Sequence, residues 1–336
     1  MQIVEIAGII ERKLVIPLVD VRSEGEFLQG HIPWSINIPL LNNEERVKVG
    51  TCYKENGNEA AVILGYELVG VKFADIIKQV KTICHDQKVI LHCWRGGLRS
   101  RIVAQLMENA GFEVFVVNGG YKSFRNWVLN LFEQELNLNV IGGLTGSGKT
   151  ELLHLLQNSG AQVIDLEGLA HHRGSAFGGI NQPAQPSQED FENKLAEAIS
   201  HLNPGKTIWI EDESRMVGTN CIPLPLWQTI RNAVLYEIEV PYDDRLGRIL
   251  NEYAVLPVEK LKERTGALKK RLGDKHLKEV MQFLEDGDMI AWAKALLSYY
   301  DKNYTHGQSK RLLDSRKKII LEQPMNGKEF LRKVKV

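Results

Sequence analysis

Two short runs in this chain have residue types and spacing suited to chemistry. His92-Cys93-Trp94-Arg95-Gly96-Gly97-Leu98-Arg99-Ser100 places a cysteine at the head of a glycine- and arginine-bearing loop. Cysteine attacks as its thiolate, and an unperturbed thiol is mostly protonated near neutral pH. Gly96 and Gly97 allow the backbone N–H groups to curl inward, and Arg95 and Arg99 add positive charge. Such a loop can hold both the thiolate and an incoming tetrahedral anion. A helix from Ser100 onward adds the positive end of its dipole. About fifty residues later, Gly143-Leu144-Thr145-Gly146-Ser147-Gly148-Lys149-Thr150 satisfies the phosphate-loop pattern G-x4-G-K-T. There the N–H groups from Thr145 to Thr150 are expected to wrap a di- or triphosphate, Lys149 to neutralise it and the Thr150 hydroxyl to ligate Mg²⁺. Asp212 is the candidate for a second metal contact and Asp165 the alternative, although both also suit helix caps at strand ends. One loop offers a nucleophile and the other grips phosphate, which fits neither a simple kinase nor a simple sulfurtransferase.

The elements around these runs read as α/β. Buried strands are expected at 14–20, 88–92 and 113–117, with helical spacing at 68–83 and 101–109 between them. Strands alternating with helices imply a mostly parallel sheet, whose ligands bind beyond the carboxyl ends of strands, where Cys93 lies. A second α/β unit begins with a strand at 139–141 feeding the phosphate loop, then a helix over 149–158 and a strand at 162–166. A Gly/Pro/Gln-rich stretch at 174–188 reads as a mobile loop before a helix at 189–202, with further strands at 207–212 and 235–240. From about Leu246 the pattern is helical and charged, without a recognisable strand. The expected domains are therefore 1–130 around the cysteine loop, 138–245 around the phosphate loop, and a helical basic segment over 246–336.

The 336 residues favour two cores over one. No apolar run is long enough to span a bilayer, and the first residues lack the charged start and apolar stretch of a secretory signal, so a cytoplasmic protein without a membrane partner is expected. The four cysteines lack a CxxC pair, which indicates neither a disulfide framework nor a zinc site. Cys52, Cys84 and Cys221 have no setting comparable to that of Cys93. Net charge is zero, yet residues 261–336 carry 18 Lys and Arg against 10 Asp and Glu. That excess suits a polyanionic partner as well as it suits solvated helix faces.

Asp20-Val21-Arg22, then Gly30-His31-Ile32-Pro33-Trp34-Ser35, and later Cys93 and Asn118-Gly119-Gly120-Tyr121 resemble the rhodanese domain, with Trp34 in place of the usual glycine. Cys93 to Arg99 has the Cys-x5-Arg spacing of rhodanese-like and tyrosine phosphatases, so a phosphate-sized anion and phosphatase chemistry also fit. No Asp or Glu within the loop could serve as general acid. A rhodanese-like domain followed by a phosphate-loop domain resembles the tRNA 2-selenouridine synthase family. Val49-Gly50-Thr51-Cys52-Tyr53-Lys54, Asp165 to Ala170, His172-Arg173-Gly174-Ser175 and Glu211-Asp212-Glu213-Ser214-Arg215 carry further likeness.

That resemblance implies a transferase that replaces sulfur by selenium in wobble-position 2-thiouridine of tRNA. Selenophosphate would be the selenium donor, which makes a selenophosphate-producing enzyme a partner to expect. An S-geranylated intermediate would be made from geranyl diphosphate with Mg²⁺. It implies Cys93 as the essential thiol and Arg95 and Arg99, with Gly96 and Gly97, as holders of the selenophosphate phosphate. The phosphate loop (Gly143, Thr145, Gly146, Ser147, Gly148, Lys149 and Thr150) would seat the prenyl diphosphate. Trp94 stacks on the flipped wobble base or packs beneath the loop. Lys262, Arg264, Lys269, Lys270, Arg271, Arg316, Lys317 and Lys318 are the candidate tRNA backbone contacts. A persulfide sulfurtransferase with an ATP-using phosphate loop, and a regulatory module whose loops merely bind anions, are the competing readings.

Overall fold

A computed structural model describes residues 1–12, 16–253, 255–308, 316–320 and 327–334. It divides into two compact units, Met1–Phe132 with Ser187–Ser200, and Glu133–Pro186 with His201–Val336.

The first unit runs β1 (Gln2–Val4), α1 (Ile6–Arg12), β2 (Leu18–Asp20), α2 (Glu24–Gln29), β3 (Ser35–Asn37), α3 (Asn43–Gly70), α4 (Phe73–Ile83), β4 (Lys88–His92), α5 (Leu98–Asn109), β5 (Glu113–Val117) and α6 (Gly120–Leu131). Its five strands form one parallel sheet in the order β1-β5-β4-β2-β3. Parallel strands are covered on both faces, which is why β2 and β4 read as apolar runs. Val19, Val89, Leu91, Val103, Ala104 and Met107 form the heart of this core, each fully buried. β4 and β5 lie where the sequence places them. The expected strand at 14–20 is seen over Leu18–Asp20, while 13–15 lie outside the described residues.

The second unit contributes β6 (Leu138–Gly142), α7 (Lys149–Asn158), β7 (Gln162–Ile164) and α8 (Leu166–Ala170). α9 (Gln188–Ser200) follows in the chain but belongs to the first unit. The chain then returns through β8 (Ile208–Glu211), the hairpin β9 (Met216–Val217) and β10 (Asn220–Cys221), α10 (Leu224–Asn232) and β11 (Val234–Glu239). Helices α11 (Tyr242–Tyr253), α12 (Val258–Ala267), α13 (Lys269–Leu272), α14 (Asp274–Glu285) and α15 (Met289–Gln308) precede β12 (Arg316–Ile320) and α16 (Gly327–Val334). The main sheet is again parallel, in the order β12-β11-β6-β8-β7. The helices after β11 pack around Trp292, Leu261, Leu296 and Leu297.

The C-terminal segment is helical over most of its described length, but it also supplies β12, a strand the sequence reading lacks. Its Arg-Lys-Lys-Ile-Ile sequence hides the strand pattern behind charge, whereas in the structure it pairs along its whole length with β11. Among the described residues no helix is long and apolar enough to cross a membrane.

Candidate functional site

Cys93 follows directly on β4, at the carboxyl end of a central strand, and is 3% exposed. Its Sγ lies 3.3 Å from Ser100 Oγ, and that hydroxyl is also 3.1 Å from the Gly97 carbonyl. When Cys93 ionises, the Ser100 hydroxyl is placed to donate to the thiolate. The helical ladder of α5 begins with Arg101 N–H to Gly97 O, so the N–H groups ahead of it have no acceptor within the helix. This is the setting in which anions bind.

Two backbone bonds from α6 fix the loop from below: Tyr121 N–H to Cys93 O at 2.8 Å and Lys122 N–H to Trp94 O at 2.9 Å. They require Gly120. At φ +58°, a β-carbon there would stand 2.3 Å from Cys93 O and 2.5 Å from Gly96 N. Trp94 is half exposed, its ring 5.7 Å from that of Tyr121, so it both packs on the unit and keeps an open edge.

The Asp20-x-Arg22 pair that marks the rhodanese resemblance is structural. Arg22 is fully buried, makes a forked ion pair with Asp20 at 2.6 Å, donates to Gly30 O at 2.8 Å and lies 3.8 Å above the Tyr121 ring. Burial opposes the charge on Asp20, but His92 beside it and the hydrogen bonds from Arg22 outweigh that and hold its carboxyl below the ordinary range. His92 is fully buried, and desolvation holds its imidazole below its usual value.

Of the two loop arginines, Arg95 is exposed, whereas Arg99 makes a two-point ion pair with Glu26 at 2.7 and 3.2 Å. Arg46 adds a third cationic contact to the same carboxylate at 3.0 Å. Burial raises the Glu26 carboxyl, yet Arg99 and the other donors hold it below the ordinary value. The charge of Arg99 is thus already compensated, and only Arg95 is held open at the loop. Sequence spacing could not have found Glu26, which lies 73 positions away on another element.

In the second unit Gly143, Gly146 and Gly148 all take positive φ, and Gly148 caps α7 in the left-handed conformation. A β-carbon at Gly146 would meet Arg245 O at 2.9 Å, and one at Gly143 would meet Ser147 Oγ at 2.6 Å. Lys149 Nζ donates to Gly143 O at 3.1 Å across the mouth of the loop. Gly143 N–H donates to the Tyr304 hydroxyl of α15 at 2.6 Å, and Arg245 ties Thr145 O to Asp301. Gly143, Thr145, Gly146, Gly148, Lys149 and Tyr304 line a cavity of 1110 Å³ with Arg173, Arg231 and Arg248.

Half-buried Glu167 and Glu213 line the cavity, and buried Glu211 lies against Glu167. Thr150 Oγ1 donates to Glu167 at 2.8 Å, and Glu167 N–H donates to Glu211 at 2.8 Å. Burial raises all three carboxyls; repulsion from Glu167 adds to it at Glu211 and Glu213, the latter reaching about 8, whereas at Glu167 Lys149 and Thr150 pull against it. Gly174 leaves room for them, since a β-carbon would stand 2.6 Å from Glu213. Asp212 also lines the cavity, with Arg231 at 3.7 Å and the Tyr304 hydroxyl at 3.5 Å. Asp165 lines the same cavity, caps α8 through Gly168 N–H and meets His154. The glycine cradle, with the Thr150 hydroxyl and Asp212 on the same cavity, has the donor types that suit a magnesium diphosphate. Among the described residues no group of three His, Cys, Asp or Glu side chains is arranged to hold a metal ion by itself.

The stretch at 174–188, read as mobile from its composition, is anchored. Phe177 is 1% exposed and packs on Trp292 and Tyr253. Gln185 donates to Ala170 O, Val217 O and Asn220. His171 takes φ +51° to end α8 and bonds Ala184 O, a turn role. Lys269, Lys270 and Arg271 stand exposed on α13, with Lys269 paired to Asp274. Lys262 meets Glu285 at 3.7 Å, while Arg264 is exposed. Lys317 lies over the Tyr236 ring in the neighbouring strand, which gives it a packing role. The side chains of Arg316 and Lys318 lie outside the described residues.

Fold and site together define a two-part protein: a rhodanese-like cysteine-loop domain and a phosphate-loop α/β domain on one chain. Family models match accordingly, a rhodanese-like domain over residues 4–126 and the tRNA 2-selenouridine synthase AAA domain over residues 136–322. A tRNA 2-selenouridine synthase of Shewanella sediminis is 38% identical, with 88% of each chain covered. That of Nitrosomonas europaea is 42% identical over 70% of this chain and 63% of its own. That of Pseudomonas fluorescens is 36% identical, covering 86% of this chain and 87% of its own. The chain belongs to the tRNA 2-selenouridine synthase family.

Proposed function

We propose that this protein is a tRNA-modifying transferase that replaces the sulfur of wobble 2-thiouridine by selenium, in two stages. The observation that carries the reading is one chain holding both a buried thiol at an anion loop and a complete phosphate cradle, in a family named for selenouridine synthesis. In the first stage the nucleoside sulfur attacks the C1 carbon of geranyl diphosphate. A C–S bond forms, the C1–O bond breaks, and diphosphate departs into the phosphate loop. The N–H groups of that loop and Lys149 stabilise the departing charge. Thr150, with Asp212, would hold Mg²⁺, whose chemistry is to neutralise the diphosphate.

In the second stage selenium from selenophosphate adds to C2 of the S-geranylated base and geranylthiol leaves. Phosphate is released when water takes the phosphorus. Alkylated sulfur is the better leaving group, which is the purpose of the first stage. Arg95 and the loop N–H groups hold the phosphate, and Cys93 is the thiol the exchange requires. The exposed cations of α13 bind the tRNA backbone.

The test is mass spectrometry of nucleosides from 2-thiouridine tRNA incubated with the protein, geranyl diphosphate and Mg²⁺, with and without selenophosphate. Geranylated thiouridine that converts to selenouridine is expected. Cys93→Ser should stop selenium incorporation with tRNA binding intact. Lys149→Ala, which removes one charge-assisted contact, should weaken geranyl transfer roughly 10- to 100-fold. An unmodified nucleoside with well-folded protein refutes the reading.

A further inference from the structure

Helix α15 reaches the phosphate loop from far beyond the loop's own motif. Tyr304 lies 161 positions after Gly143, and the Gly143 N–H donates to its hydroxyl at 2.6 Å. The same hydroxyl is placed to donate to Asp212 Oδ2, 3.5 Å away. A phenol oxygen can accept one hydrogen bond while its own proton goes to another partner, so the two contacts are compatible. One side chain thus touches both the first residue of the loop and the carboxylate that stands beside it as a metal contact.

The surrounding chain is shaped to admit that hydroxyl. Gly142, the last residue of β6, has no positive φ, so its backbone conformation does not call for glycine. What it supplies is room: an added β-carbon would stand 2.7 Å from the Tyr304 hydroxyl and 2.7 Å from the Leu235 side chain. A second tie comes from the same face of α15, one turn earlier. Asp301 holds the guanidinium of buried Arg245 through two bonds of 2.9 Å, and Arg245 donates to Thr145 O at 3.1 Å. Protein contacts therefore fix the loop at Gly143 and again at Thr145, which orients its peptide groups independently of any anion.

We propose that Tyr304 is a positioning residue of the phosphate site, one that holds the start of the loop and Asp212 at a fixed spacing. This rests on the reading above that the loop and Asp212 together take a magnesium diphosphate. It extends that site to α15: the loop grips phosphate, Asp212 faces the metal, and the Tyr304 hydroxyl sets the distance between them. Without the hydroxyl the loop keeps its glycines and its tie to Arg245, but Asp212 is no longer held to the loop through this contact.

The experiment is calorimetric titration of the full-length protein with inorganic diphosphate, with and without Mg²⁺, before and after Tyr304→Phe. Phenylalanine keeps the ring and removes only the hydroxyl. Loss of one hydrogen bond to the loop should weaken binding of metal-free diphosphate roughly 2- to 12-fold. With Mg²⁺ the contact to Asp212 counts as well, and the loss should be at least about threefold greater than the metal-free one. A variant that is merely less stable responds alike in both titrations, because both use the same folded protein. Equal losses with and without Mg²⁺ overturn the proposal. So do affinities that stay within about twofold of those of the unaltered protein under both conditions. Failure of the unaltered protein to bind diphosphate under either condition is a different result: it sinks the phosphate-site reading itself, and this inference with it.

Discussion

Replacing Gly120 by alanine should disable the cysteine loop without unfolding the protein. Two effects act there. Holding a non-glycine residue at φ +58° costs about 1–2 kcal/mol. The new β-carbon would also stand 2.3 Å from Cys93 O, where ordinary contacts begin near 3.4 Å, so the loop must retreat by the difference. That is on the order of 1 Å, and such a displacement of a reacting group costs roughly 100-fold in rate. The obstacle is backbone on both sides, so no rotamer change relieves it. Gly119→Ala is the internal control: its φ is +67°, but the nearest atom to its β-carbon is Ser123 Cβ, at 3.0 Å, and no loop backbone stands in its way. Both variants should melt at similar temperatures. Only Gly120→Ala should lose selenium incorporation, by roughly 100-fold, in single-turnover assays with saturating tRNA. If its rate falls within about threefold of that of Gly119→Ala, the loop does not depend on this contact and the argument from geometry fails.

Asp20→Asn leaves the Arg22 guanidinium buried and unpaired, which should cost about 3–5 kcal/mol and lower the melting temperature by roughly 6–20 °C. Because the folded Asp20 carboxyl is held below its ordinary 3.8, its stabilising effect is full above that value and is lost as pH falls through the folded one. The gap between the two proteins in thermal melts should therefore narrow at low pH; a gap independent of pH contradicts the pairing. Replacing Lys269, Lys270 and Arg271 together by alanine should reduce the slope of log affinity for tRNA against log salt by roughly 2 to 3. A slope that does not change removes α13 from the tRNA surface.

Legibility from sequence followed locality. Strands β4 and β5 and helix α7 were readable because their apolar spacing is uninterrupted, and both anion loops because their glycines and cations are contiguous. Partners distant in the chain were not. The Glu26 that occupies Arg99 and the Tyr304 that meets Gly143 N–H come from other elements, and no local pattern announces them. α3 escaped notice because its apolar residues line an elbow rather than one helical stripe. The composition of 174–188 suggested mobility because glycine, proline and glutamine usually solvate, yet the three amide hydrogen bonds from Gln185 hold that stretch in place.

The ownership of α9 has a consequence for how the chain is made. The Tyr121 hydroxyl donates to Glu189 at 2.7 Å and accepts from Asn193 at 2.8 Å, while Asn193 also donates to His31 O and receives from Arg125. These groups are satisfied only by a helix encoded after the phosphate loop. Synthesis delivers the N-terminal end first, so the five-stranded cysteine-loop sheet leaves the ribosome with that polar cluster exposed until Ser200 has emerged. A fragment cut after Phe132 is frozen at that stage, and a faithful excision of the cysteine-loop unit must graft residues 187–200 back onto it.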